Sequence, residues 1–346
     1  MEKIPRTMKA IVFPEPGKAE RTETNVPEPG PRDLVIKIDY SGISPGTERW
    51  MLQGKLEIPG EPPFGFPHVP GYQAAGTVVE AGPEAAADGN GQGAPDGFQP
   101  GDRVFSRACK APGGWKGSWW GGHCAYHVAE VGRDIIKVPD GASMQSAAGL
   151  LLAQVGYNGA MKASVRKGDV ALVIGDGLVG QYAAQVLRHR GAYTVLSGLS
   201  PKRLELAEMY SADEVYDNRN FDFPEFIVSK YPEGVDIVLD TASMMKTVRE
   251  GAEMLKRHGR LVLNGYYPPG DSCIDWHWLR RKELTLHCAD SRNDERLQAA
   301  MDLIAAGAIK AEELVTDVFT PEQAPEAYNM LLSGRQDFLG LLIRWS

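Results

Sequence analysis

One short segment limits the folds open to this chain more than any other: Gly175-Asp176-Gly177-Leu178-Val179-Gly180 fits the pattern G-x-G-x-x-G. It follows the apolar run Val170–Ile174, typical of a strand buried on both faces, and it opens a stretch of helical periodicity, Gln181–Arg190. In this context the glycines allow a tight turn and close approach to a pyrophosphate at a helix N-terminus. The segment therefore predicts a dinucleotide site, with Gly175, Gly177, Leu178, Val179 and Gly180 as contacts; the alternative is an ordinary glycine-rich strand–helix turn.

The glycine turn lies in a half of the chain where strand-like and helix-like stretches alternate. Further apolar runs are Thr194–Leu196, Val235–Leu239 and Arg260–Leu263, and helical stretches are Ser146–Met161 and Arg203–Tyr210. Such alternation predicts an α/β fold with a doubly wound parallel sheet.

The first half of the chain has a different composition and a different spacing of apolar residues. Residues 1 to about 150 are rich in Gly and Pro and carry short β-type runs at Lys9–Phe13, Leu34–Ile38 and Gly76–Val79, which predicts a barrel-like β domain. The stretch Ala85–Gly97 is predicted to be a surface loop, and the end of the chain, with Leu339–Trp345, is expected to return to the first domain. We therefore divide the chain into residues 1–152, 153–290 and 291–346.

Composition excludes several classes of partner. With 346 residues, 43% of them hydrophobic, the chain can build about two domains with cores. A net charge of −8 argues against nucleic acid and against an anionic membrane surface. The start of the chain, Met1–Arg6, lacks the apolar core of a signal peptide, and no run approaches the length of a membrane helix. Four scattered cysteines without a C-x-x-C pair read as reduced thiols, so we expect a cytoplasmic protein with a small-molecule substrate.

Cofactor choice depends on the residues that follow the second strand of the nucleotide domain. An NAD enzyme usually carries an acid there, which binds the ribose hydroxyls. This chain reads Ser197-Gly198-Leu199-Ser200-Pro201-Lys202-Arg203, without an acid. The window favours NADP(H) over NAD(H), with Ser197, Gly198, Ser200, Lys202 and Arg203 as contacts, and Gly198→Asp should reverse the preference. The alternative for Lys202 and Arg203 is a solvated helix face.

Several stretches together resemble the medium-chain dehydrogenase/reductase superfamily along nearly the whole chain. They are Ser41–Glu48, Val69–Gly76, Phe98–Val104, Gly121–Tyr126 and the glycine turn. The resemblance implies a GroES-like β-barrel domain beside a Rossmann domain, and a homodimeric NAD(P)-dependent oxidoreductase. The Gly-Thr-Glu stretch, the Val69–Tyr72 segment and the Phe338–Trp345 tail are similar to the bacteriochlorophyllide a dehydrogenase group.

The zinc ligands of that superfamily are missing at the matching positions. Pro45 is at the position of the ligand Cys, and Tyr72-Gln73 is at the position of the His-Glu pair. The third ligand, expected near Ala153-Gln154, is also missing. Only Cys109 occurs where a structural zinc would need four cysteines, so we expect neither catalytic nor structural zinc. In His123-Cys124-Ala125-Tyr126-His127, histidines on one strand face would be about 13 Å apart, too far to share an ion.

Without zinc, a side chain has to move the proton that accompanies hydride transfer. The candidates are Tyr72, which replaces the ligand His, and Thr47 and Glu48; Glu48 could equally be a buried structural carboxyl group. In the family, the strand before Asn264, Gly265 and Tyr266 passes the nicotinamide. Four tryptophans placed in predicted loops suit either a flat substrate or a domain interface: Trp119, Trp120, Trp276 and Trp278.

These features predict a zinc-independent oxidoreductase acting on a secondary alcohol or ketone. Its substrate would be sugar-like, a secondary metabolite or a tetrapyrrole hydroxyethyl group. The alternatives are an NADPH-dependent quinone or enone reductase, which needs no strong base, and a nucleotide-binding homologue without turnover.

Overall fold

The computed structural model describes residues 3–57, 65–87, 97–107, 109–114, 121–132, 134–219, 222–267, 273–290, 293–335 and 337–346. The chain forms two compact units. Unit 1 consists of Met1–Leu151, Asn293–Ala305 and Val315–Ser346, and unit 2 consists of Leu152–Arg292 and Ala306–Leu314.

The strands, in chain order, are β1 (Thr7–Val12), β2 (Glu20–Asn25), β3 (Asp33–Ile43), β4 (Ala74–Ala81), β5 (Arg103–Ser106), β6 (Tyr126–Glu130), β7 (Ile135–Lys137), β8 (Val170–Ile174), β9 (Tyr193–Gly198), β10 (Glu214–Asp217), β11 (Val235–Asp240), β12 (Leu255–Leu263), β13 (Thr285–Cys288), β14 (Val315–Phe319) and β15 (Gly340–Arg344). The helices are α1 (Pro45–Leu52), α2 (Pro83–Ala87), α3 (Met144–Ala147), α4 (Leu150–Lys162), α5 (Leu178–His189), α6 (Pro201–Tyr210), α7 (Phe223–Lys230), α8 (Met245–Met254), α9 (Trp276–Arg281), α10 (Asp294–Ala305) and α11 (Ala324–Leu332).

The long strand β3 organises unit 1. It pairs antiparallel with β4, β6 and β15 in a sheet whose order is β14-β15-β3-β4-β5-β7, and β1 and β2 form a separate antiparallel pair. Leu341 in β15 lies opposite Ile43 at the end of β3. Ile43, Met51 and Tyr328 belong to one buried cluster, so the cluster fixes α1 and α11 against the end of β3.

Unit 2 is built on a parallel sheet of six strands in the order β10-β9-β8-β11-β12-β13. Leu172, Val195, Val238 and Leu261 from four adjacent strands pack in one core cluster, which explains why these strands read as continuous apolar runs. The strand order reverses between β8 and β11, and such a switch point opens a crevice at the carboxyl ends of the strands. The predicted α/β fold class with a doubly wound parallel sheet is confirmed.

Three local predictions differ from the structure. The single helix expected over Ser146–Met161 is divided into α3 and α4, and Gly149 lies in the break, its N–H donating to the Ser146 carbonyl. Trp276 and Trp278 lie on α9 rather than in a loop, while Trp119 and Trp120 lie outside the described residues. The first residues of the loop expected over Ala85–Gly97 belong to α2, and residues 88–96 lie outside the described part.

Within the ranges that the structure describes, no helix combines the length and the apolar character that crossing a membrane requires.

Candidate functional site

The glycine turn joins β8 to α5 at the carboxyl edge of the sheet of unit 2. Gly175 has φ = 119°, which favours glycine, and a Cβ there would collide with the Thr241 hydroxyl. Thr241 donates from that hydroxyl to the Ile174 carbonyl at 3.0 Å, so β11 holds the turn in place. A Cβ on Gly180 would collide with the Gly175 carbonyl oxygen. Both positions therefore need glycine for close backbone packing.

The start of α5 fits the phosphates of a dinucleotide. Gly177 is the N-cap, no side chain caps this end, and a Cβ built on Gly177 would meet open space. Leu178 and Val179, in the first turn, are half-buried. An open helix N-terminus without a side-chain cap offers backbone N–H donors and a favourable dipole to negative charge. These residues would hold the pyrophosphate of a nicotinamide dinucleotide.

An acid from another segment lies beside the residues that follow β9. Asp176, from the glycine turn, places Oδ2 at 2.8 Å from the backbone nitrogens of both Leu199 and Ser200. Its Oδ1 lies 3.4 Å from Nη1 of Arg203. The predicted NADP(H) preference rests on a window without an acid, and the window itself holds none. The carboxyl group of Asp176 nevertheless lies beside it, so the preference stays a prediction.

The substitution Gly198→Asp cannot serve as the test expected from sequence. A Cβ on Gly198 would collide with the side chain of Asp176. Of the other predicted contacts, Ser197 is buried, Ser200 is buried, and Lys202 is exposed on α6.

The predicted nicotinamide-side residues follow β12. Asn264 is buried and donates from Nδ2 to the Val155 carbonyl of α4 at 3.1 Å. A Cβ on Gly265 would collide with the Ser243 hydroxyl, and Tyr266 is exposed. The strand end is thus fixed by the side chain of Asn264, a predicted residue, and packs at Gly265 against Ser243, which sequence reasoning did not select.

In unit 1, Tyr72 is buried and its hydroxyl forms hydrogen bonds with the side chains of Ser44 and Thr47. We call Ser44, Thr47 and Tyr72 the hydroxyl cluster. Burial, reinforced by Glu48, raises the pKa of Tyr72 to about 12, although the two hydrogen bonds and Arg107 act in the opposite direction. Tyr72 therefore keeps its proton at neutral pH, as a donor must. Thr47 is only half-buried, so the cluster reaches from the interior toward solvent.

Glu48 has a different environment from Tyr72. Its Oε1 accepts the Ser44 N–H at 2.8 Å, which satisfies a donor at the start of α1. Its Oε2 accepts from the Tyr328 hydroxyl at 2.7 Å and lies 3.0 Å from Nε2 of His123. Glu48 has no exposed surface. With both oxygens bonded inside the core, the geometry favours the structural alternative for Glu48.

The contacts of Glu48 continue through His123. Nδ1 of His123 lies 2.8 Å from the Ser41 hydroxyl, and Ser41 accepts from Nε1 of Trp345 at 2.9 Å. Gly71 has φ = 92°, and a Cβ there would collide with the His123 ring. We call Ser41, Glu48, His123, Tyr328 and Trp345 the Glu48 network. It joins β3, α1, α11 and the end of β15.

His123 and His127 have separate partners. Nε2 of His127 donates to the Gly122 carbonyl at 2.9 Å, and Nδ1 lies 3.0 Å from the Ser106 hydroxyl. Among the described residues, His127 also forms a group with Cys109 and Cys124, whose ligand atoms lie within 4.8 Å of one another. The thiols donate to the Gly121 carbonyl at 3.2 and 3.3 Å, and the spacing of the three ligand atoms would also fit a metal ion.

The buried imidazole of His127 makes stability depend on pH. Burial lowers its pKa from 6.5 to about 4. Between these two values, His127 is protonated in the unfolded chain and neutral in the folded chain. The free energy of unfolding should therefore fall by about 3 kcal/mol in all as pH falls through this window, at about 1.4 kcal/mol per pH unit. Urea unfolding at pH 7 and pH 5 covers the upper part of this window and should show a loss of about 2 kcal/mol.

The matched variant is His127→Gln, which keeps a donor and an acceptor but does not titrate. It should show a smaller loss between pH 7 and pH 5 than the parent, while the part due to His68 and His287, whose pKa values burial also lowers, stays. An equal loss in both proteins would contradict this assignment.

Comparison with known proteins gives the same architecture. Residues 30–140 match the family described as alcohol dehydrogenase GroES-like domain, and residues 179–306 match the family described as zinc-binding dehydrogenase. The chain is 28% identical over 347 residues to the 2-desacetyl-2-hydroxyethyl bacteriochlorophyllide A dehydrogenase of Cereibacter sphaeroides, with 97% of this chain and 98% of the relative covered. It is 25% identical over 351 residues to the sorbitol dehydrogenase of Halalkalibacterium halodurans, with coverage of 94% and 97%.

Solved structures share the fold over the full length. A putative zinc-binding dehydrogenase from Sinorhizobium meliloti, bound to NADP, superposes with a TM-score of 0.84 at 24% identity, covering 98% of this chain and 100% of that chain. The 2R,3R-butanediol dehydrogenase from Bacillus subtilis gives 0.81 at 22% identity, covering 97% and 99%. The predicted pairing of a GroES-like domain with a Rossmann-like domain is confirmed.

Proposed function

Because the chain is an NAD(P)-dependent oxidoreductase of the medium-chain dehydrogenase/reductase superfamily, we propose that it interconverts a secondary alcohol and a ketone without catalytic zinc. The observation that supports the proposal is the hydroxyl cluster, because it holds the buried phenol of Tyr72, the residue that the resemblance aligns with a metal-ligand His.

Bound at the glycine turn, the nicotinamide cofactor supplies hydride in reduction and accepts it in oxidation. In the reductive direction the Tyr72 hydroxyl donates its proton to the substrate carbonyl oxygen. Ser44 and Thr47 hold that hydroxyl, and Thr47, being half-buried, returns a proton from solvent. In oxidation the same groups take the alcohol proton in reverse. Glu48 positions α1 and takes no proton.

Zinc-independent chemistry predicts a simple result with chelators. Since Pro45, Tyr72 and Gln73 replace the usual ligands, turnover after dialysis against 1,10-phenanthroline should stay within twofold of the untreated enzyme. Elemental analysis should find no stoichiometric zinc in the purified protein.

The control for this experiment is the Cys109→Ser/Cys124→Ser double variant, which removes the thiol group that could hold an adventitious ion. Activity that is lost on chelation and restored by added zinc, in the parent and in this variant alike, would overturn the zinc-free proposal.

The substrate class is proposed from the same cluster and from the relatives, whose names specify sorbitol and a hydroxyethyl tetrapyrrole. The test follows absorbance near 340 nm with either cofactor and a panel of secondary alcohols, polyols and their ketones, beside simple quinones and enones. We expect turnover of the alcohol and ketone pairs. Turnover confined to quinones or enones would instead assign a double-bond reductase.

The preference for NADP(H) predicted from Gly198 is one of two alternatives for the cofactor, and the position of Asp176 favours the other, NAD(H). A homodimeric state, implied by the resemblance, and a cytoplasmic location, expected from the cysteine pattern, stay predictions.

A further inference from the structure

We propose that Asp176 is the acid that recognises the adenosine ribose of the cofactor and discriminates against a 2′-phosphate. This inference rests on the proposed binding of a nicotinamide dinucleotide to unit 2. In the usual arrangement such an acid follows the second strand of the fold. Here the corresponding position holds Gly198, and the carboxyl group comes from the glycine turn instead.

The contacts of Asp176 and Gly198 are complementary. Asp176 is 8% exposed, and its carboxyl group lies against the backbone of Gly198, where any Cβ would collide with it. The side chain of Asp176 therefore leaves room only for glycine at residue 198. In the usual arrangement the acid follows the second strand and the glycine turn holds small residues. In this chain the acid is in the glycine turn and glycine follows β9, so a carboxyl group still lies at the end of β9.

The backbone donors near Gly198 are already engaged. Oδ2 of Asp176 accepts from the backbone N–H groups of Leu199 and Ser200, the residues that lead into α6. A 2′-phosphate at this edge would compete with Asp176 for these donors and would meet its negative charge. A ribose 2′-hydroxyl, in contrast, can donate to a carboxyl oxygen.

The cation nearest to Asp176 is paired with it. Arg203 lies 3.4 Å from the Asp176 carboxyl group and its side chain is 17% exposed, so the guanidinium is engaged with the acid rather than standing open to a phosphate. Lys202 is exposed on the first turn of α6. The acid and its arginine therefore favour the ribose diol of NAD(H) over the phosphate of NADP(H).

A purely structural role for Asp176, tying the glycine turn to the start of α6, predicts a different outcome from a role in recognition. Asp176→Asn keeps the shape and one carbonyl acceptor but removes the charge. If Asp176 only holds the glycine turn against the start of α6, this substitution should lower the affinity for both cofactors to the same extent. If Asp176 discriminates against the 2′-phosphate, the substitution should change the ratio of the two dissociation constants.

The experiment measures dissociation constants of NAD⁺ and NADP⁺ by calorimetry. The parent protein should bind NAD⁺ at least tenfold more tightly than NADP⁺, and Asp176→Asn should shift the ratio of the two constants at least tenfold toward NADP⁺. The exchange variant Asp176→Gly/Gly198→Asp, which returns the acid to the strand end and removes the Cβ that would collide with a side chain at residue 198, should recover the NAD⁺ preference. Glu205→Gln, an exposed acid on α6, serves as the matched control and should leave the ratio within threefold.

Tighter binding of NADP⁺ than of NAD⁺ by the parent would overturn the inference, and so would a ratio in Asp176→Asn within threefold of the parent value. Failure of the parent to bind either cofactor would contradict the proposed function instead, so the two failures are distinguishable.

Discussion

Replacing Tyr72 by Phe should lower alcohol oxidation and ketone reduction by about 10²–10⁴-fold, the usual contribution of a positioned general acid or base. The change removes one hydroxyl group and leaves the buried ring. Because Tyr72 contacts neither the glycine turn nor the residues after β9 in any hydrogen bond given above, the dissociation constant for the cofactor should not change. Steady-state rates on one substrate, together with a cofactor titration, measure both quantities.

The matched control is Tyr328→Phe, which removes a second buried phenol hydroxyl from unit 1. That hydroxyl donates to Glu48 and is outside the hydroxyl cluster, so the rate per folded molecule should stay within threefold. If Tyr72→Phe also stays within threefold, Tyr72 only shapes the pocket and the proton comes from elsewhere. An enone reductase would show that result, since water can protonate the enolate.

Replacing Glu48 by Leu should destabilise unit 1 by about 3–5 kcal/mol, the range for removing one partner from a buried polar pair. Three donors lose their acceptor at once: the Ser44 N–H, the Tyr328 hydroxyl and the His123 ring. A buried donor left without a partner carries its full desolvation cost. Chemical denaturation followed by a probe in unit 1 should therefore show an earlier transition.

The control for Glu48 is an exposed glutamate with one partner. Glu322 pairs with Lys9 at 2.6 Å and its side chain is 55% exposed, so Glu322→Gln should cost less than about 1 kcal/mol. Combining Glu48→Leu with Tyr328→Phe should cost less than the two changes added together, because they share a hydrogen bond. Simple additivity would contradict the proposed network.

What the sequence could predict was local. The strand before the glycine turn, the turn itself and the helix after it are consecutive in the chain. Their pattern predicted β8 and α5, because the burial of a strand and the periodicity of a helix depend on the identities of neighbouring residues. The same holds for the missing metal ligands, which are identities at single positions. The division of the helix after Ser143 was not predicted, since Gly149 lowers helix stability without forbidding a helix.

What the sequence could not predict depends on contacts between distant segments. The acid beside Gly198 was sought after β9, whereas it lies in the turn before α5, although an acid inside the glycine motif was a visible signal. Glu48, His123 and Tyr328 meet through three separate elements, and no spacing connects them. The burial that raises the pKa of Tyr72, and the hydrogen-bond partners of its hydroxyl, are known only after folding.

The pairing of β15 with β3 has a consequence for how quickly the chain folds. Leu341 and Ile43 lie opposite each other although about 300 residues separate them, whereas the strands of unit 2 pair over much shorter stretches. Closing so long a loop carries an entropic cost that grows with its length, and a segment that has already condensed shortens the loop. We therefore expect that early condensation of unit 2 lowers the entropic barrier for β15 to reach β3. Variants that destabilise unit 2 should then slow the completion of the sheet of unit 1.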